Sequence, residues 1–417
     1  MDDGIGDGRS SPRRSWEVLG TGSQLVLEGV ELWWVELPFV APVVTAAGTH
    51  RSRPLLMVRL ICRHPTDLSV VEGWGECAAL ADTAYDAEDV AGAWDTLEHM
   101  LLPALWELAG AQGRPLPSVQ AVQGLAADAP ARPLAFAALE MAVGDAHLRA
   151  SGRSFAALLG VTNKTVEPGA VTGVPNSTDA LVAAVASLVG NGYVRVKVKV
   201  APGTEMATMH ALTDWAATAV GPVPRFQVDA NGAYGPDDIE LLAGLDQFGL
   251  LCIEQPFDRG DLESHRRLAT RMTTPICLDE SLDGPVAVAD AVTTGACSVV
   301  CVKPARLGGI ASALEVIEWC TTHDVAWWIG GMFESGFARR INTALAALPG
   351  RTLPGDLAVP ATYLAGDLVD RPVVRRDEVS GRLGIDVSDV PGMGPAPDLD
   401  RLEASMERRI TVTAASI

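Results

Sequence analysis

A series of short apolar segments, each ending on a charged residue, recurs through the second half of this 417-residue chain. The charged ends are Lys199, Asp229, Glu254, Asp279 and Lys303, and successive ends are 24 to 30 residues apart. This spacing is the length of one strand, one helix and two loops, so the pattern predicts repeated strand–helix units and a parallel sheet. If that sheet closes into a barrel, the five charges converge on one mouth.

The alternation of strands and helices begins near Thr165 and gives about eight strand candidates, the last of them Asp356–Val359. No Gly-x-Gly-x-x-Gly fingerprint is present, which favours a closed β/α barrel of the TIM type over a doubly wound sheet. Residues 25–160 differ: three strand-like segments precede helices, and Pro103 is expected to divide or end the helix over Ala87–Leu108. We therefore predict an α+β domain over residues 25–160 and a barrel over residues 161–369.

The two ends of the chain have different compositions. Residues 1–24 are rich in Gly, Ser, Asp and Arg and lack an apolar core, so we expect a disordered leader instead of a targeting peptide. Residues 370–417 are polar and punctuated by Pro and Gly, and we expect them to pack back on the first domain. The connection Leu37–Arg53 is either a functional lid or a plain surface hairpin.

Composition excludes several classes of partner. The net charge of −20 argues against nucleic acids and anionic membrane surfaces, and no apolar run approaches the length of a membrane span. The seven cysteines are odd in number, show no Cys-x-x-Cys spacing and lie mostly in apolar runs, as expected for reduced thiols of a cytoplasmic protein. A small-molecule carboxylate is the expected substrate, and a homo-oligomer is left open.

Three of the charged ends, Asp229, Glu254 and Asp279, are carboxylates on successive strands. Three carboxylates cannot stay ionised side by side without a cation. Oxygen ligands without His or Cys beside them select Mg²⁺, with Mn²⁺ as the usual substitute. Asn231 is a further candidate, to bind substrate or to bridge to groups around the site. The alternative is three unrelated acids that cap helices.

Lys197 and Lys199 are two residues apart on one strand, so their side chains point the same way. If the two side chains face solvent, they need no partner. If they face the barrel interior, each needs a partner or a function. With Lys303 four strands later, they suggest a metal that binds a substrate carboxylate while one lysine removes the adjacent proton. A lysine base needs a pKa well below about 10.4, so Lys197 is expected to lower the pKa of Lys199 or to contact the substrate carboxylate.

The stretch Gly330–Gly336 follows the seventh strand candidate. Its glycines suggest close approach of the backbone to a ligand, so Gly331 and Met332 are candidates for substrate binding. Glu334 is a candidate to orient Lys303 by hydrogen bonding or to contact substrate. A tight turn before a helix is the alternative explanation. Arg306 either binds substrate or pairs with a surface acid.

Six motifs occur in order: Lys-x-Lys, Asp-x-Asn, Glu-Gln-Pro, Asp-Glu-Ser, Lys-Pro-x-x-x-Gly-Gly and Gly-Gly-Met-x-Glu-Ser-Gly. Together they resemble the enolase superfamily, specifically the o-succinylbenzoate synthase and N-acylamino-acid racemase branch of its muconate-lactonising subgroup. The resemblance covers roughly residues 25–390. It implies an α+β N-terminal capping domain on an α/β barrel of the (β/α)7β TIM-like type. It also implies that Leu37–Arg53 and Trp74–Tyr85 are specificity loops at the barrel mouth.

The same resemblance implies Mg²⁺ bound by Asp229, Glu254 and Asp279, with Lys199 and Lys303 as an acid/base pair. The implied reaction is dehydration of a hydroxylated succinyl-cyclohexadiene carboxylate (SHCHC) to o-succinylbenzoate in menaquinone biosynthesis. Racemisation of N-acyl (N-succinyl) amino acids is the alternative. Muconate cycloisomerisation is less expected, and dipeptide epimerisation is disfavoured because the acidic pair that binds a free amine is absent. A catalytically silent binding protein is disfavoured because all five charged groups are present.

Overall fold

The computed structural model of the protein describes residues 11–45, 48–110, 113–128, 132–173, 177–219, 221 and 223–413. The first ten residues of the expected leader and the last four of the expected C-terminal segment lie outside the described residues. Within those ranges, no helix has both the length and the apolar character that crossing a membrane requires.

The N-terminal part is an antiparallel sheet covered by helices, as its strand-like pattern predicts. Its elements are α1 (Pro12–Glu17), β1 (Val26–Thr45), β2 (Gly48–Arg63), β3 (Val70–Cys77), α2 (Val90–Thr96), α3 (Leu102–Ala109), α4 (Val119–Gln123), α5 (Pro133–Ala150) and α6 (Phe155–Leu158). A strand near the C-terminus, β14 (Met406–Thr413), joins this sheet beside β1, so the strand order is β14-β1-β2-β3.

The remainder alternates strands and helices around one parallel sheet, which confirms the predicted barrel. Its elements are β4 (Thr165–Val166), β5 (Ala170–Thr172), α7 (Thr178–Gly190), β6 (Arg195–Lys199), α8 (Glu205–Thr218), β7 (Arg225–Asp229), α9 (Ile239–Ala243), β8 (Ile253–Glu254), α10 (Leu262–Ala269), β9 (Ile276–Leu278), α11 (Pro285–Thr293), β10 (Val299–Val302), α12 (Ile310–Thr322), β11 (Ala326–Ile329) and α13 (Gly336–Ala346). Seven of these strands, β5 to β11, pair in chain order.

The C-terminal segment contains β12 (Val374–Arg376), β13 (Leu383–Asp386), α14 (Leu399–Ala404) and β14 (Met406–Thr413). β12 and β13 form a small antiparallel sheet with β4. β14 runs antiparallel to β1, and the Arg409 guanidinium lies over the ring of Trp33 at 4.6 Å. The segment therefore packs on the N-terminal sheet.

The expected eighth strand, Asp356–Val359, is not a strand. Asp356 N–H donates to Ile329 O of β11 at 2.9 Å, and Gly355 O accepts from Gly169 N–H, just before β5, at 2.7 Å. A two-residue irregular segment thus links the two edges of the seven-stranded sheet. Prolines on both sides of this stretch remove backbone donors, which limits a longer ladder.

The connection Leu37–Arg53 is a β-hairpin, formed by the ends of β1 and β2. Val43 pairs with His50, and the ladder is irregular between Pro38 and Val43. The hairpin leans on the barrel, because the rings of Phe39 and Phe333 meet edge to face at 5.7 Å. It is therefore a surface hairpin by structure, placed next to the loop after β11.

The helix predicted over Ala87–Leu108 continues past Pro103 instead of ending there. Between α2 and α3 lies one wide π turn, Leu97–Leu101, in which Leu102 N–H donates to Leu97 O. Pro103 then occupies the first turn of α3, where its missing N–H costs no helical bond.

The central helix α5 joins the sheet to the barrel. Gly73 and Gly75 of β3 face it so closely that a Cβ atom on either would overlap the backbone of Ala142 or Ala138. The first turn of α5 is capped by the buried Glu88 carboxylate, which accepts from Leu134 N–H at 2.8 Å. The close packing explains the glycines of the Gly-Trp-Gly sequence. The carboxylate of Glu88 stabilises the start of α5.

Part of the expected leader is ordered, which corrects that expectation for residues 11–24. Ser11 caps helix α1, and Trp16 is fully buried. The Trp16 ring lies against Gly144 and meets Phe155 edge to face at 5.5 Å, while its N–H donates to Glu140 at 3.1 Å. A single large aromatic with a buried partner outweighs the polar composition that suggested disorder.

Replacing Trp16 with Ala should lower the stability of the protein by about 3–5 kcal/mol, because the pocket around the ring collapses only partly. Thermal unfolding followed by circular dichroism measures the effect. The control is Val18→Ala in the same segment, since Val18 is half exposed and should change the midpoint little. Equal midpoints for Trp16→Ala and the parent protein would show that the segment is not part of the fold.

The pH dependence of stability should carry a contribution from Glu88, because burial raises its pKa from 4.5 to about 7. A raised carboxyl pKa stabilises the fold below about pH 4.5, and this contribution is lost as the pH rises towards 7. Glu88→Gln should therefore compare more favourably with the parent at pH 8 than at pH 5, by on the order of 2 kcal/mol. Thermal unfolding at both pH values tests this, with the exposed Glu107→Gln as control.

Candidate active site

The three predicted metal-binding carboxylates lie together where neighbouring strands end. Asp229 ends β7, Glu254 ends β8 beside it in register, and Asp279 directly follows β9. All three side chains are at least 98% buried. Since parallel strands end at a common edge, the spacing in sequence becomes adjacency in space.

Burial and the repulsion between neighbouring carboxylates disfavour the charged forms of these side chains. Burial, reinforced by the charge of Asp229, raises the pKa of Glu254 to about 8. Although burial opposes it, Lys303 and Arg306 lower the pKa of Asp279 to about 2. Glu280, which follows Asp279, has its pKa raised to about 7 by burial and by the same carboxylates. Another positive charge at this edge is therefore favourable.

The donor set fits a hard divalent cation. The oxygens of Glu254 and Asp279 lie within 4.8 Å of each other and of Cys301 Sγ. Burial and the neighbouring Asp279 raise the pKa of the Cys301 thiol well above its ordinary value, so the sulfur is neutral and a poor ligand. The carboxylate oxygens of Glu254 and Asp279 then remain as the ligands of this group, which does not include Asp229, and oxygen ligands suit a hard divalent cation.

Lys197 faces the barrel interior, and its expected effect on Lys199 or contact with a substrate carboxylate stays a prediction. Its ammonium lies 2.9 Å from Glu254, 2.7 Å from Asp356 and 3.5 Å from Asp229. Although burial opposes its charge, Asp356 and Glu254 raise the pKa of Lys197 well above its ordinary value. Lys197 is thus a fixed cation that holds Glu254.

Lys199 lies at the mouth, and about a third of its side chain is exposed. Its ammonium is 3.2 Å from Asp229 and donates to Asn231 Oδ1. The amide of Asn231 donates in turn to Glu280 at 2.9 Å. Asn231 therefore links Lys199 to Glu280, the residue after Asp279, and its expected role in binding a ligand stays a prediction.

Lys303 lies at the other side of the three carboxylates, on the residue after β10. Its ammonium is 2.7 Å from Asp279 and 2.5 Å from the hydroxyl of Tyr85. Tyr85 comes from the loop after β3, and its hydroxyl also donates to Asp279 at 2.8 Å. Burial opposes the charge on Lys303, but Asp279 and Tyr85 raise its pKa well above the ordinary value.

Arg306 is buried and pairs with groups inside the site, not with a surface acid. Its guanidinium donates to Asp86 at 2.9 Å, to Asp279 O at 2.8 Å and to Glu280 O at 3.0 Å. The residue therefore joins the loop that carries Tyr85 to the strand end that carries Asp279.

The glycine-rich stretch after β11 makes room for side chains of the protein itself. A Cβ on Gly330 would lie 2.7 Å from Lys303 Cε, and one on Gly331 would lie 2.8 Å from an Arg339 nitrogen. Glu334 contacts Arg339 at 2.6 Å and Asn342 at 2.9 Å in the described structure, so its expected contact with Lys303 is not seen.

Met332 is 4% exposed, and its side chain lies beside Lys303 in a small cavity between the two domains. Its place among the predicted substrate-binding residues stays a prediction.

Four site residues escaped sequence reasoning. Gln227 donates to Glu254 at 2.6 Å, and it lies two residues before Asp229, so the inward alternation of β7 signals it. Gln255 accepts through Oε1 from the backbone N–H of Asp279 at 3.1 Å, and it directly follows Glu254 in the recognised Glu-Gln-Pro motif. Asp356 opens the expected eighth strand, whose alternation does not signal an ion pair with Lys197, and Tyr85 comes from an irregular loop, for which periodicity gives no signal.

Comparisons with known proteins agree with this geometry. A family model described as "Enolase C-terminal domain-like" matches residues 180–401. A relative from Amycolatopsis sp named N-succinylamino acid racemase is 39% identical over 376 residues, covering 89% of this chain and 96% of the relative. The chain belongs to the enolase superfamily.

Other enolase-superfamily proteins extend the likeness over both domains. An o-succinylbenzoate synthase from Geobacillus kaustophilus is 34% identical, covering 90% of this chain and 94% of that protein. The crystal structure of an enolase-superfamily member from Listeria innocua has a TM-score of 0.84 at 31% identity, covering 94% of this chain and 100% of that one. The protein is therefore an enolase-superfamily enzyme with a capping domain on a TIM-like barrel. Members of this superfamily generally bind a divalent metal.

Metal affinity should depend on Glu254 and not on Cys301. Glu254→Gln removes a charged oxygen ligand and should weaken Mn²⁺ binding at least about 100-fold. Cys301→Ser, which keeps the volume beside the same carboxylates, should change it less than about threefold. Titration calorimetry with Mn²⁺ alone measures both. Comparable losses in the two variants would contradict an oxygen-only site.

Proposed function

We propose that this enzyme removes the proton next to a substrate carboxylate, using Lys199 and Lys303 as the groups that handle the proton and the developing charge. One observation carries the proposal. The strand order places Lys199 on β6 and Lys303 after β10, so the two lysines flank the carboxylates of β7, β8 and β9. A substrate carboxylate directed at those strand ends has one ammonium group on either side.

Asp229, Glu254 and Asp279 would hold Mg²⁺, with Mn²⁺ as a substitute. The bound cation supplies Lewis-acid stabilisation of a substrate carboxylate as that group gains enediolate character. Lys197 fixes Glu254, and Arg306 fixes the backbone at Asp279. Both carboxylates are therefore held in place before substrate arrives, which is the preorganisation that electrostatic catalysis needs.

The two lysines have different surroundings, which favours different roles. Lys303 is buried against Asp279 with a raised pKa, so it remains an ammonium and suits stabilisation of an enediolate. Lys199 is partly exposed at the mouth and suits proton removal and delivery. A base on one side and a fixed cation on the other is the arrangement that dehydration of SHCHC to o-succinylbenzoate requires, with Lys199 also assisting departure of the hydroxyl from the same face.

Racemisation of N-succinyl amino acids is the second candidate. It requires an acid/base group on each face of the α-carbon, and the paired placement of Lys199 and Lys303 provides two. The N-succinylamino acid racemase of Amycolatopsis sp is also more similar to this chain than the synthase of Geobacillus kaustophilus. One site with two lysines supports either reaction, so an enzyme with both activities is consistent with this geometry.

Purified enzyme with Mg²⁺ should dehydrate SHCHC, followed by absorbance. N-succinyl-phenylalanine in D₂O, followed by NMR, tests the second candidate through α-deuterium exchange. Lys199→Ala should lower dehydration at least about 10³-fold, because it removes the base. Lys164→Ala is the control, since Lys164 is an exposed lysine outside the site.

The outcomes separate the candidates. Dehydration without α-deuterium exchange would rule out the racemase activity, and exchange with negligible dehydration would rule out the synthase activity. Full dehydration by Lys199→Ala would remove Lys199 as the base. Neither reaction in the parent enzyme would remove both proposed substrates.

A further inference from the structure

Arg53, at the end of the hairpin, is an arginine whose bonds in the described structure all run to backbone carbonyls. The residue is 1% exposed. Its guanidinium donates to Pro54 O at 2.7 Å, Ala78 O at 2.5 Å, Ala79 O at 2.5 Å, Met332 O at 3.1 Å and Phe333 O at 3.3 Å. An arginine side chain has five N–H donors, so every donor is used.

These carbonyls belong to segments on both domains. Ala78 and Ala79 follow β3 of the capping domain and begin the loop that leads to Tyr85. Met332 and Phe333 follow β11 of the barrel. The planar guanidinium has a rigid fork geometry, so it fixes the two segments relative to each other as well as individually.

Both segments border Lys303. Ala78, Met332 and Lys303 line one small cavity between the domains. At the far end of the capping loop, Tyr85 reaches the Lys303 ammonium at 2.5 Å. That far end is itself held, because Asp86 accepts from Arg306 at 2.9 Å. The loop is therefore anchored at its start by Arg53 and at its end by Arg306.

In the described structure, Lys199 makes no hydrogen bond to the capping domain. The hydrogen bonds of Lys199 in the described structure run to Asp229 and Asn231, both of the barrel. Lys303 contacts barrel Asp279 and also capping-domain Tyr85. A disturbance of the junction between the domains should therefore reach Lys303 and leave Lys199 in place.

We propose that Arg53 is a positioning residue for Lys303, acting through the two loop segments it joins. The side chain contacts no reacting atom, and it sets how closely the capping domain presses Tyr85 onto Lys303. This role rests on the proposed function only where it predicts catalysis; the placement of Lys303 is a property of the folded protein. Arg53 thus connects the domain that is expected to select substrate to one face of the chemistry.

The first test measures the placement of Lys303 without any reaction. Intact enzyme is reductively methylated under limiting conditions, and the labelling of Lys303 and Lys199 is compared by peptide mass spectrometry. Arg53→Lys keeps the charge but loses the fork, so Lys303 labelling should rise at least about threefold relative to Lys199. Arg408→Lys, an arginine on strand β14 away from the junction, is the matched control and should leave the ratio unchanged.

Equal increases at both lysines would overturn the proposal, because a merely structural role for Arg53 would loosen the whole site. No change in labelling at either lysine would overturn it as well. If Arg53→Lys does not fold, Tyr85→Phe decides, since it removes only the hydroxyl on Lys303. The same rise in the Lys303 to Lys199 ratio supports the proposal, and an unchanged ratio contradicts it.

The second test uses the reaction. With N-succinyl-phenylalanine in D₂O, Lys303→Ala first identifies the enantiomer whose exchange depends on Lys303. Arg53→Lys should slow exchange of that enantiomer at least about tenfold and the other less than about threefold. An equal loss for both would overturn the positioning role. No exchange or dehydration by the parent enzyme would instead defeat the proposed function, while the labelling result still judges Arg53.

Discussion

The buried negative charge at the ends of β7, β8 and β9 is the constraint on which the rest of the structure depends. Asp229, Glu254 and Asp279 are held out of water on neighbouring strands, where each disfavours ionisation of the next. The surrounding cations answer this charge: Lys197 sits beneath Glu254, and Lys303 and Arg306 engage Asp279. A divalent cation held by the carboxylates, as proposed, would complete the balance. Burying these charges costs folding free energy. It also fixes the charges before substrate binds, which electrostatic catalysis requires.

The capping domain matters because the barrel alone leaves its mouth incomplete. The loop after β3 brings Tyr85 onto Lys303, and Arg306 holds the adjacent Asp86. The hairpin of β1 and β2 rests on Phe333. Helix α5 supports this arrangement, since the glycines of β3 let the sheet approach it and Glu88 caps its first turn. The loops that define a substrate pocket are therefore set by packing well away from the pocket.

Sequence periodicity predicted those parts of the site that regular strands carry. Charges that recur at one strand–helix interval had to meet at one barrel edge, which placed the proposed metal ligands and both proposed catalytic lysines together. The alternation predicted the segment of Asp356 as a strand but gave no signal that its carboxylate meets Lys197. It also gave no signal for Tyr85, at the end of an irregular loop, or for the bonds that Arg53 on β2 makes to both domains. Trp16 was missed for another reason: composition averages over a segment, while one buried aromatic ring decides whether it folds.

The different surroundings of Lys199 and Lys303 bear on how one active site could carry out either proposed reaction, dehydration or racemisation. Proton removal from one face needs a base there and only a cation opposite, whereas racemisation needs exchangeable groups on both faces. Lys199 depends on the barrel, but Lys303 also depends on Tyr85, Arg306 and, through them, the capping domain. A change in a capping loop can therefore alter the second face while the first remains intact. Under the proposed function, substrate choice and reaction type would be coupled physically, because both would depend on the contact between Tyr85 and Lys303.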